Sequence, residues 1–575
     1  MKHNSVKIQY KDTLFKDGPY KSVKEAISKV ARYFPDTRIF GQLDKDKNVV
    51  YTTAKQAEEE VIYLGDGLIE NGLKDCHIAI VADNSVRYVL ADTAISNGVG
   101  VVTPVDKDAP DDLTVTLLSK CDADAVITNF YLIDKINRAR QRCPRLKTII
   151  TIDKKADGCL FYDDIVAEGK ALNDANKGIY RDAPLDTSKP AKILFTSGTT
   201  GANKGVVLTG ANLAANMNNC LDVVKTGKWD DTSMSVLPMH HSTEINTHIM
   251  SRWGNARLTY VNTSMKDLMT NIKIFKPSII TVVPMIANAF YNGIIANAKK
   301  AGMYDKMRKG IKLSNALSKI GVDVTHKMFK DVFAPFGGNL RQIIVGGAAL
   351  NPDIVNGFKD LGVFICNGYG ITECGPLISM NSDTDKECRS VGRPCPDLQV
   401  KIIEADSDGI GALCVKGASV ASGYYKDEES TKKVFYPDGF FNTGDLASID
   451  EKGRIVLAGR KKNVIVLSNG KNIYPEEIET EIENNMTYCD DVVVYSADNG
   501  ANAILVAGIF VKDDATRADK DKIKADFAAL NQRLAGYKRI NAVNVAKEPY
   551  QRTSTKKIKR DTVLDCHDAD NLIKL

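Results

Sequence analysis

The strongest constraint on the fold is an alternation that begins at residue 77. HIAIV (77–81) is a short apolar run, and NSVRYVLADTAISNG (84–98) has helical spacing. VVTPV (101–105) follows, then a helix candidate at 111–120, then the runs AVIT (125–128) and TIIT (148–151). Continuous apolar runs alternating with helical segments predict parallel strands whose two faces are covered by helices. A second alternating block spans 190–380, with strand candidates KILF (192–195), SIITVV (278–283), RQIIVGG (341–347) and VFICNG (363–368). Between them, 286–335 reads as helices rich in Ala, Lys and Met. After 390 the texture changes to short strands split by Gly and Asp-Gly turns: LQVKIIE (398–404), GALCVKG (411–417) and GRIVLAGR (453–460). That pattern predicts an antiparallel, barrel-like section. The last stretch, about 115 residues, mixes strands (NVIVL, DVVVYS, AILVAGIFV) with helices (PEEIETEIENN, KDKIKADFAALNQRLA) and is large enough for a small α+β domain. The fold class is therefore α/β, with a large domain over 1–460 and a small domain over 461–575.

Length agrees, since 575 residues exceed one ordinary core. The 77 basic and 72 acidic residues leave a net charge of +5, so no polyelectrolyte character points to nucleic acid. No uncharged run is long enough to span a bilayer, and the amino terminus lacks the apolar core of a signal peptide. The twelve cysteines form no CxxC pair, and Cys366 and Cys414 sit in apolar strands as buried free thiols. A reducing cytoplasm fits.

The chemistry concentrates in TSGTTGANKG (196–205). It follows the apolar strand KILF and precedes the helix ANLAANMNNCLDVV (211–224), so it is expected to be a strand-to-helix loop at the carboxyl end of the sheet. Glycines let backbone N–H groups converge, hydroxyls add donors, and Lys204 adds a cation; a phosphate is the natural guest. The order is wrong for a Walker loop, because Lys204 precedes Gly205 and Val206 follows.

TSGTTGANKG resembles the signature loop of the adenylate-forming superfamily, which includes acyl-CoA synthetases, peptide-synthetase adenylation domains and luciferases. Further motifs follow in that family's order: LPMHHSTE (237–244), VGGAAL (345–350), NGYGITE (367–373), VGRP (391–394), TGD (443–445), GRKKNVIVLSNGKNIYPEEIE (459–479) and RTSTKKIKR (552–560). The resemblance spans roughly residues 50 to 565. It implies that Thr196, Ser197, Gly198, Thr199, Thr200 and Lys204 hold the phosphates of ATP. Thr199 and Glu373 would hold Mg²⁺, a hard cation suited to a carboxylate and phosphate oxygens. Tyr369 offers a flat face to adenine. Asn367, Gly368, Gly370 and Thr372 surround it, and Gly347 and Ala348 form the opposite wall. Asp445 and Arg460 are implied ribose ligands.

The resemblance also implies the chemistry. Lys557 would touch the carboxylate and the bridging phosphate oxygen during adenylation, although Lys556 replaces the family's usual Gly. Lys462 falls where the family hinges, and the SNGK region around Gly470 would close over a thiol nucleophile. His241 and Glu244 match the long-chain pattern L-P-x-x-H-x-x-E and would line the acyl pocket; HHSTEINT offers no Asp to hold an α-amine. KPSIITVVPMIANAFYNGI (276–294) is also similar to long-chain members, with Met285 where an Arg often stands. The implied activity is a fatty-acyl-CoA synthetase: a carboxylate and MgATP give acyl-AMP and pyrophosphate, and CoA then gives acyl-CoA and AMP. Loading a carrier-protein thiol, an aryl or medium-chain acid, and a catalytically silent nucleotide sensor remain as alternatives. For a lipid substrate, a weak peripheral membrane contact through the basic run KKIKR (556–560) is a further expectation.

Overall fold

His77–Val81 is almost wholly buried, so it needs neighbours on both edges and cover on both faces. It finds Val101–Pro104 on one side and Ala125–Thr128 on the other, both parallel. The computed structural model describes residues 18–575 except 198–202, 224–230, 323, 347–349, 351, 382–389, 467–471, 499–502, 553–557 and 569–571. It resolves two units. The larger contains 1–400 and 415–441, and the smaller contains 401–414 and 442–575.

The larger unit is built on two sheets. The first has eight strands, with Thr148–Thr151 and Leu160–Phe161 extending the parallel series beyond Ala125–Thr128. On the other flank Pro190–Ser197 runs parallel to Val101–Pro104. There the expected strand-to-helix loop is not what forms. Asn203–Thr209 folds back antiparallel on Pro190–Ser197, and the helix Gly210–Val223 begins only after it. Pro190–Ser197 and Asn203–Thr209 are therefore the two arms of a β-hairpin, and 198–202 between them lie outside the described residues. The run GVVLT supplies the second strand because its three central residues are buried against the sheet. Gly423–Tyr424 pairs along the outer edge of that hairpin.

The second sheet has nine strands. Six are parallel, in the spatial order Phe364–Gly370, Gln342–Gly346, Ile279–Val282, Ser233–Ser235, Thr259–Val261, Arg38–Leu43. Antiparallel strands close both ends, Leu377–Met380 and Arg393–Pro394 at one and Val49–Thr53 at the other. The Ala-, Lys- and Met-rich stretch forms the helices Pro284–Lys300 and Tyr304–Ser318 and two short turns after them.

In the smaller unit, Gln399–Ile403, Gly411–Lys416, Phe441–Ile449 and Ile455–Arg460 make a four-stranded sheet in that order. A second four-stranded sheet is formed by Asp491–Asp498, Ala503–Phe510, Ala542–Ala546 and Ile573–Lys574. The amphipathic helices Pro475–Asn485 and Lys520–Arg533 cover it, burying Ile478, Ile482, Ile523, Phe527 and Leu530 against Val492, Val494, Leu505 and Ile509.

Candidate functional site

In the larger unit, one strand end and the base of one hairpin place Lys204 and Glu373 on either side of Tyr424. Phe364–Gly370 carries Asn367, Gly368, Tyr369 and Gly370 to its carboxyl end, where a short helical turn, Thr372–Cys374, holds Glu373. Asn367 and Tyr369 are two apart on a strand, so they share a face. Both are buried, and the Asn367 side-chain oxygen finds no partner among the described residues. A buried unmatched acceptor beside an aromatic ring suits a flat heterocycle that presents an amino group.

Glu373 is held from two sides. Its backbone carbonyl accepts from Ala421 N–H (2.8 Å), and Tyr424 Oη–H donates to its carboxylate (2.9 Å). Burial first, and Glu373 second, push the Tyr424 phenol well above its ordinary range, so it remains a donor. Lys204 Nζ lies 5.0 Å from the centre of the same ring. Lys204 is opposite Thr196 in the hairpin, and Tyr425 N–H donates to Gly205 O (2.7 Å). The hairpin base, Tyr424 and the Glu373 turn are thus one connected assembly with a cation and a carboxylate at its surface. Tyr424 has no motif to announce it; it stands 51 residues from Glu373.

Among the described residues no group of three His, Cys, Asp or Glu side chains gathers to cage a metal. A single oriented carboxylate fits Mg²⁺, which is commonly held by one or two carboxylates, phosphate oxygens and water. Gly198, Thr199, Thr200, Gly347, Ala348, Gly470 and Lys557 lie outside the described residues, and so does the side chain of Ser197.

Behind this surface runs a buried polar chain. Lys192, on the strand that leads into the hairpin, donates to Asp92 Oδ1 (2.6 Å) and to Asn246 Oδ1 (2.9 Å). The Asn246 amide donates to Gly375 O (3.4 Å), and Asn216 bridges Asn246 O and Leu377 N–H. Gly375 has φ of +96°, and a Cβ there would lie 3.0 Å from Asn216 Cβ, so only glycine suits the turn. The turn that carries Glu373 is therefore fastened at its far end to a buried ion pair. Thr372 joins a second contact, its hydroxyl lying 3.4 Å from Ser242 Oγ.

The LPMHHSTE segment follows Ser233–Ser235. The rings of His240 and His241 are 4.1 Å apart. Burial is the main cause that pushes them down, to about 4 for His240 and about 3 for His241, so both are neutral near neutral pH. Glu244 is fully buried and its Oε1 lies 2.9 Å from His248 Nδ1, one helical turn on. Glu244 Oε2 and His248 Nε2 have no partner among the described residues. His248 was not marked by any motif; its spacing of four from Glu244 is the signal that could have found it.

In the smaller unit, Asp445 and Arg460 face each other across adjacent antiparallel strands. Arg460 Nε donates to Asp445 Oδ1 at 2.6 Å. Thr443 shapes the turn, donating to Leu413 O (2.9 Å) and accepting from Asp445 N–H (3.1 Å). Asp445 is buried and Arg460 half-exposed. A carboxylate and a guanidinium side by side can accept from and donate to a vicinal diol at once. Lys461 and Lys462 follow in an exposed helical turn, where Lys461 pairs with Glu404 (2.7 Å).

The AMP-binding enzyme family matches residues 27–425, and the AMP-binding enzyme C-terminal domain matches 462–570. The chain is 26% identical over 600 residues to the long-chain-fatty-acid–CoA ligase FadD15 of Mycobacterium bovis, covering 96% of each chain. It is 28% identical to long-chain-fatty-acid–CoA ligase 6 of Rattus norvegicus over 74% of this chain and 64% of that one. Thus it spans a little under two thirds of the rat protein's length. Among solved structures, the anthranilate CoA ligase AuaEII in complex with anthranoyl-AMP aligns with a TM-score of 0.76 at 18% identity, over 96% of this chain and 98% of that one. ATP-bound MatB from Rhodopseudomonas palustris aligns with a TM-score of 0.73 at 20% identity, over 95% and 98%. With one family domain spanning most of the larger unit and another most of the smaller, this chain belongs to the AMP-binding enzyme family.

Proposed function

We propose that the protein is an AMP-forming ligase that converts a long-chain fatty acid to its CoA thioester. The observation that carries this reading is the linked set Lys204, Tyr424 and Glu373, a cation and an oriented carboxylate fastened to the base of one glycine- and hydroxyl-rich hairpin. Names of relatives support the substrate class: FadD15 and the rat enzyme are long-chain-fatty-acid–CoA ligases.

In the first step a carboxylate oxygen of the acid attacks the α-phosphorus of ATP. The bond to the bridging oxygen breaks, and pyrophosphate leaves with the electron pair. Lys204 and the hairpin N–H groups hold the phosphates, and Lys557 sits on the developing charge at the α-phosphoryl oxygen. One preorganised donor there is worth about 3 kcal/mol, or about a hundredfold in rate. Glu373 and Thr199 would hold Mg²⁺, which when bound would supply neutralisation of the phosphate charge. Tyr369 and Asn367 take the adenine, and Asp445 with Arg460 takes the ribose. In the second step the CoA thiolate attacks the acyl carbonyl of acyl-AMP, and AMP leaves. Between the steps the domain over 461–575 turns about Lys462, removing Lys557.

His241 lines the acyl pocket as a neutral ring, and Glu244 fixes the segment through His248. Cytoplasmic location is part of the proposal. It is supported by eleven described cysteines that are all free thiols, and among the described residues no helix is long and apolar enough to cross a membrane.

The deciding experiment is acid-dependent pyrophosphate exchange with fatty acids of graded length, on wild type and Lys557→Ala. Exchange that peaks with long chains, falls about a hundredfold in the variant, and leaves thioester formation from preformed acyl-AMP largely intact is the expected result. Equal losses in both half-reactions would remove Lys557 from its role, and no exchange with any acid would remove the ligase reading. A carrier-protein thiol as acceptor is favoured by one relative, the long-chain-fatty-acid–[acyl-carrier-protein] ligase AEE15 of Arabidopsis thaliana, 27% identical over 89% of this chain. AMP release that requires carrier protein and ignores CoA would select it.

A further inference from the structure

We propose that one face of the helix Tyr304–Ser318, with the turn after it, is a docking surface for an anionic lipid bilayer. It goes beyond the ligase reading and stands without it.

Charge is the first observation. Between Lys299 and Lys319 lie seven basic residues and one acidic residue, Asp305, a net of +6 against +5 for the entire chain. The excess positive charge of the protein is thus gathered in one short segment. None of Lys306, Arg308, Lys309, Lys312 and Lys319 pairs with a carboxylate among the described residues, and all are exposed. Elsewhere surface lysines do pair, as Lys432 does with Glu428 and Lys433 with Glu429.

The second observation is apolar. Leu313 is 54% exposed, Ile320 74% and Val322 45%; Ile320 is the most exposed large apolar side chain among the described residues. Within the helix, positions 306, 309, 313 and 316 recur at helical spacing, so Leu313 lies on one stripe with Lys306 and Lys309, and Ile320 and Val322 follow in the turn after it. Arg308, Lys312 and Lys319 form the stripe beside it. The opposite side is seated in the larger unit. Met307 and Ser314 are buried and Gly310 lies against Met328 and Phe329, while at the edge of the basic stripe the exposed Asn315 Nδ2 donates to Asp360 Oδ1 (2.9 Å). The helix is therefore fixed, and its basic, apolar-studded face points to solvent.

Single exposed apolar side chains are ordinary, but three of them within ten residues on and just after one basic helix are not scattered, and a nucleic-acid face would place polar or aromatic groups between its cations. Aliphatic side chains that can enter the acyl region, ringed by lysines at the depth of the headgroups, match an anionic leaflet. The segment KKIKR, by contrast, spends Arg560 on an internal pair with Glu479, so the basic helix is the stronger membrane candidate.

The test is flotation of the full-length protein with vesicles of phosphatidylcholine, alone or with one third phosphatidylglycerol, at low and at high salt. Binding is expected to need phosphatidylglycerol and to fall at high salt. The triple substitution Lys306→Glu, Lys309→Glu, Lys312→Glu should weaken it by at least about tenfold, and Leu313→Ser with Ile320→Ser by about tenfold. Unchanged thermal midpoints would show that the variants fold. Equal binding to neutral vesicles, no binding, or undiminished binding by the variants overturns the proposal. So does capture of an acidic carrier protein by the same lysines with no vesicle binding, which would assign the face to a protein.

Discussion

Replacing Lys192 by Met leaves the Asp92 carboxylate without its cation. Both side chains are 2% exposed, and the pair is 2.6 Å apart. The second Asp92 oxygen has no partner among the described residues, so no described neighbour takes over the charge. Removing one half of a buried pair costs about 3–5 kcal/mol. For a unit of roughly 430 residues the unfolding entropy is about 0.9 kcal/mol per kelvin, so the midpoint of the larger unit should drop by about 3–6 °C. The loss has a pH signature. Burial already raises the Asp92 pKa, and without Lys192 the folded state holds a proton that the unfolded chain releases near 3.9. A folded pKa above the unfolded one means stability that is full below about 3.9 and declines by ~1.4 kcal/mol per pH unit until the folded pKa is passed. Melting curves across the neutral range should therefore show the variant losing ground as pH rises. Adding Asp92→Leu removes the lone charge and should recover most of the midpoint and flatten the slope. A single variant that melts within about 1 °C of wild type at every pH, or a double variant no more stable than the single, would refute the account.

Tyr424→Phe removes a hydroxyl donor to the Glu373 carboxylate, worth about 1.5–3 kcal/mol; kcat/KM for MgATP should fall by about ten- to a hundredfold, and unchanged kinetics at limiting Mg²⁺ would deny Tyr424 an orienting role. His240 and His241 have folded pKa values of about 4 and about 3, below the unfolded value near 6.5, so each should contribute stability above that value and withdraw up to ~1.4 kcal/mol per pH unit on acidification below it. Acid melting of a His240→Gln, His241→Gln variant checks this: its midpoint should vary less between neutral and mildly acid pH than that of wild type. Asp445→Asn should raise KM for ATP by about tenfold, and the variant should no longer distinguish ATP from 2′,3′-dideoxy-ATP; a retained distinction would place the ribose elsewhere.

The central strands of both sheets were legible because burial on two faces writes a continuous apolar run, as in HIAIV and SIITVV, whereas short strands such as Ser233–Ser235 and Thr259–Val261 and the amino-terminal pair Arg38–Leu43 and Val49–Thr53 were not, and KILF joined the first sheet instead of the second block. The hairpin at 190–209 was not legible. After Lys204 the run GVVLT is short, and the helix candidate behind it drew the whole segment into one loop. Whether it turns back as a strand depends on the free edge of Pro190–Ser197, which no local pattern records. Glu373 and Asp445 drew notice only through their neighbours in NGYGITE and TGD. Tyr424, a tyrosine in ASGYYKDEE, was not, because its importance comes from a contact across 51 residues.

Lys192 shows where physical reading of sequence could have gone further. It opens KILF, and that strand is buried on both faces. A lysine inside such a strand cannot stay unpaired, since desolvating an ammonium without a counter-charge costs several kcal/mol. The sequence therefore demands an acidic partner in a segment that covers the same sheet. The helix over 84–98 offers one carboxylate among its apolar residues, Asp92, one turn before its kinked end at Ile95–Val99. Pairing them places that helix over the strand leading into the hairpin at 190–209, and Asn246 then ties the pair to the turn beyond Glu373. A charge in the wrong place locally is thus a statement about tertiary structure, and here it links the core of the first sheet to the edge of the proposed nucleotide site.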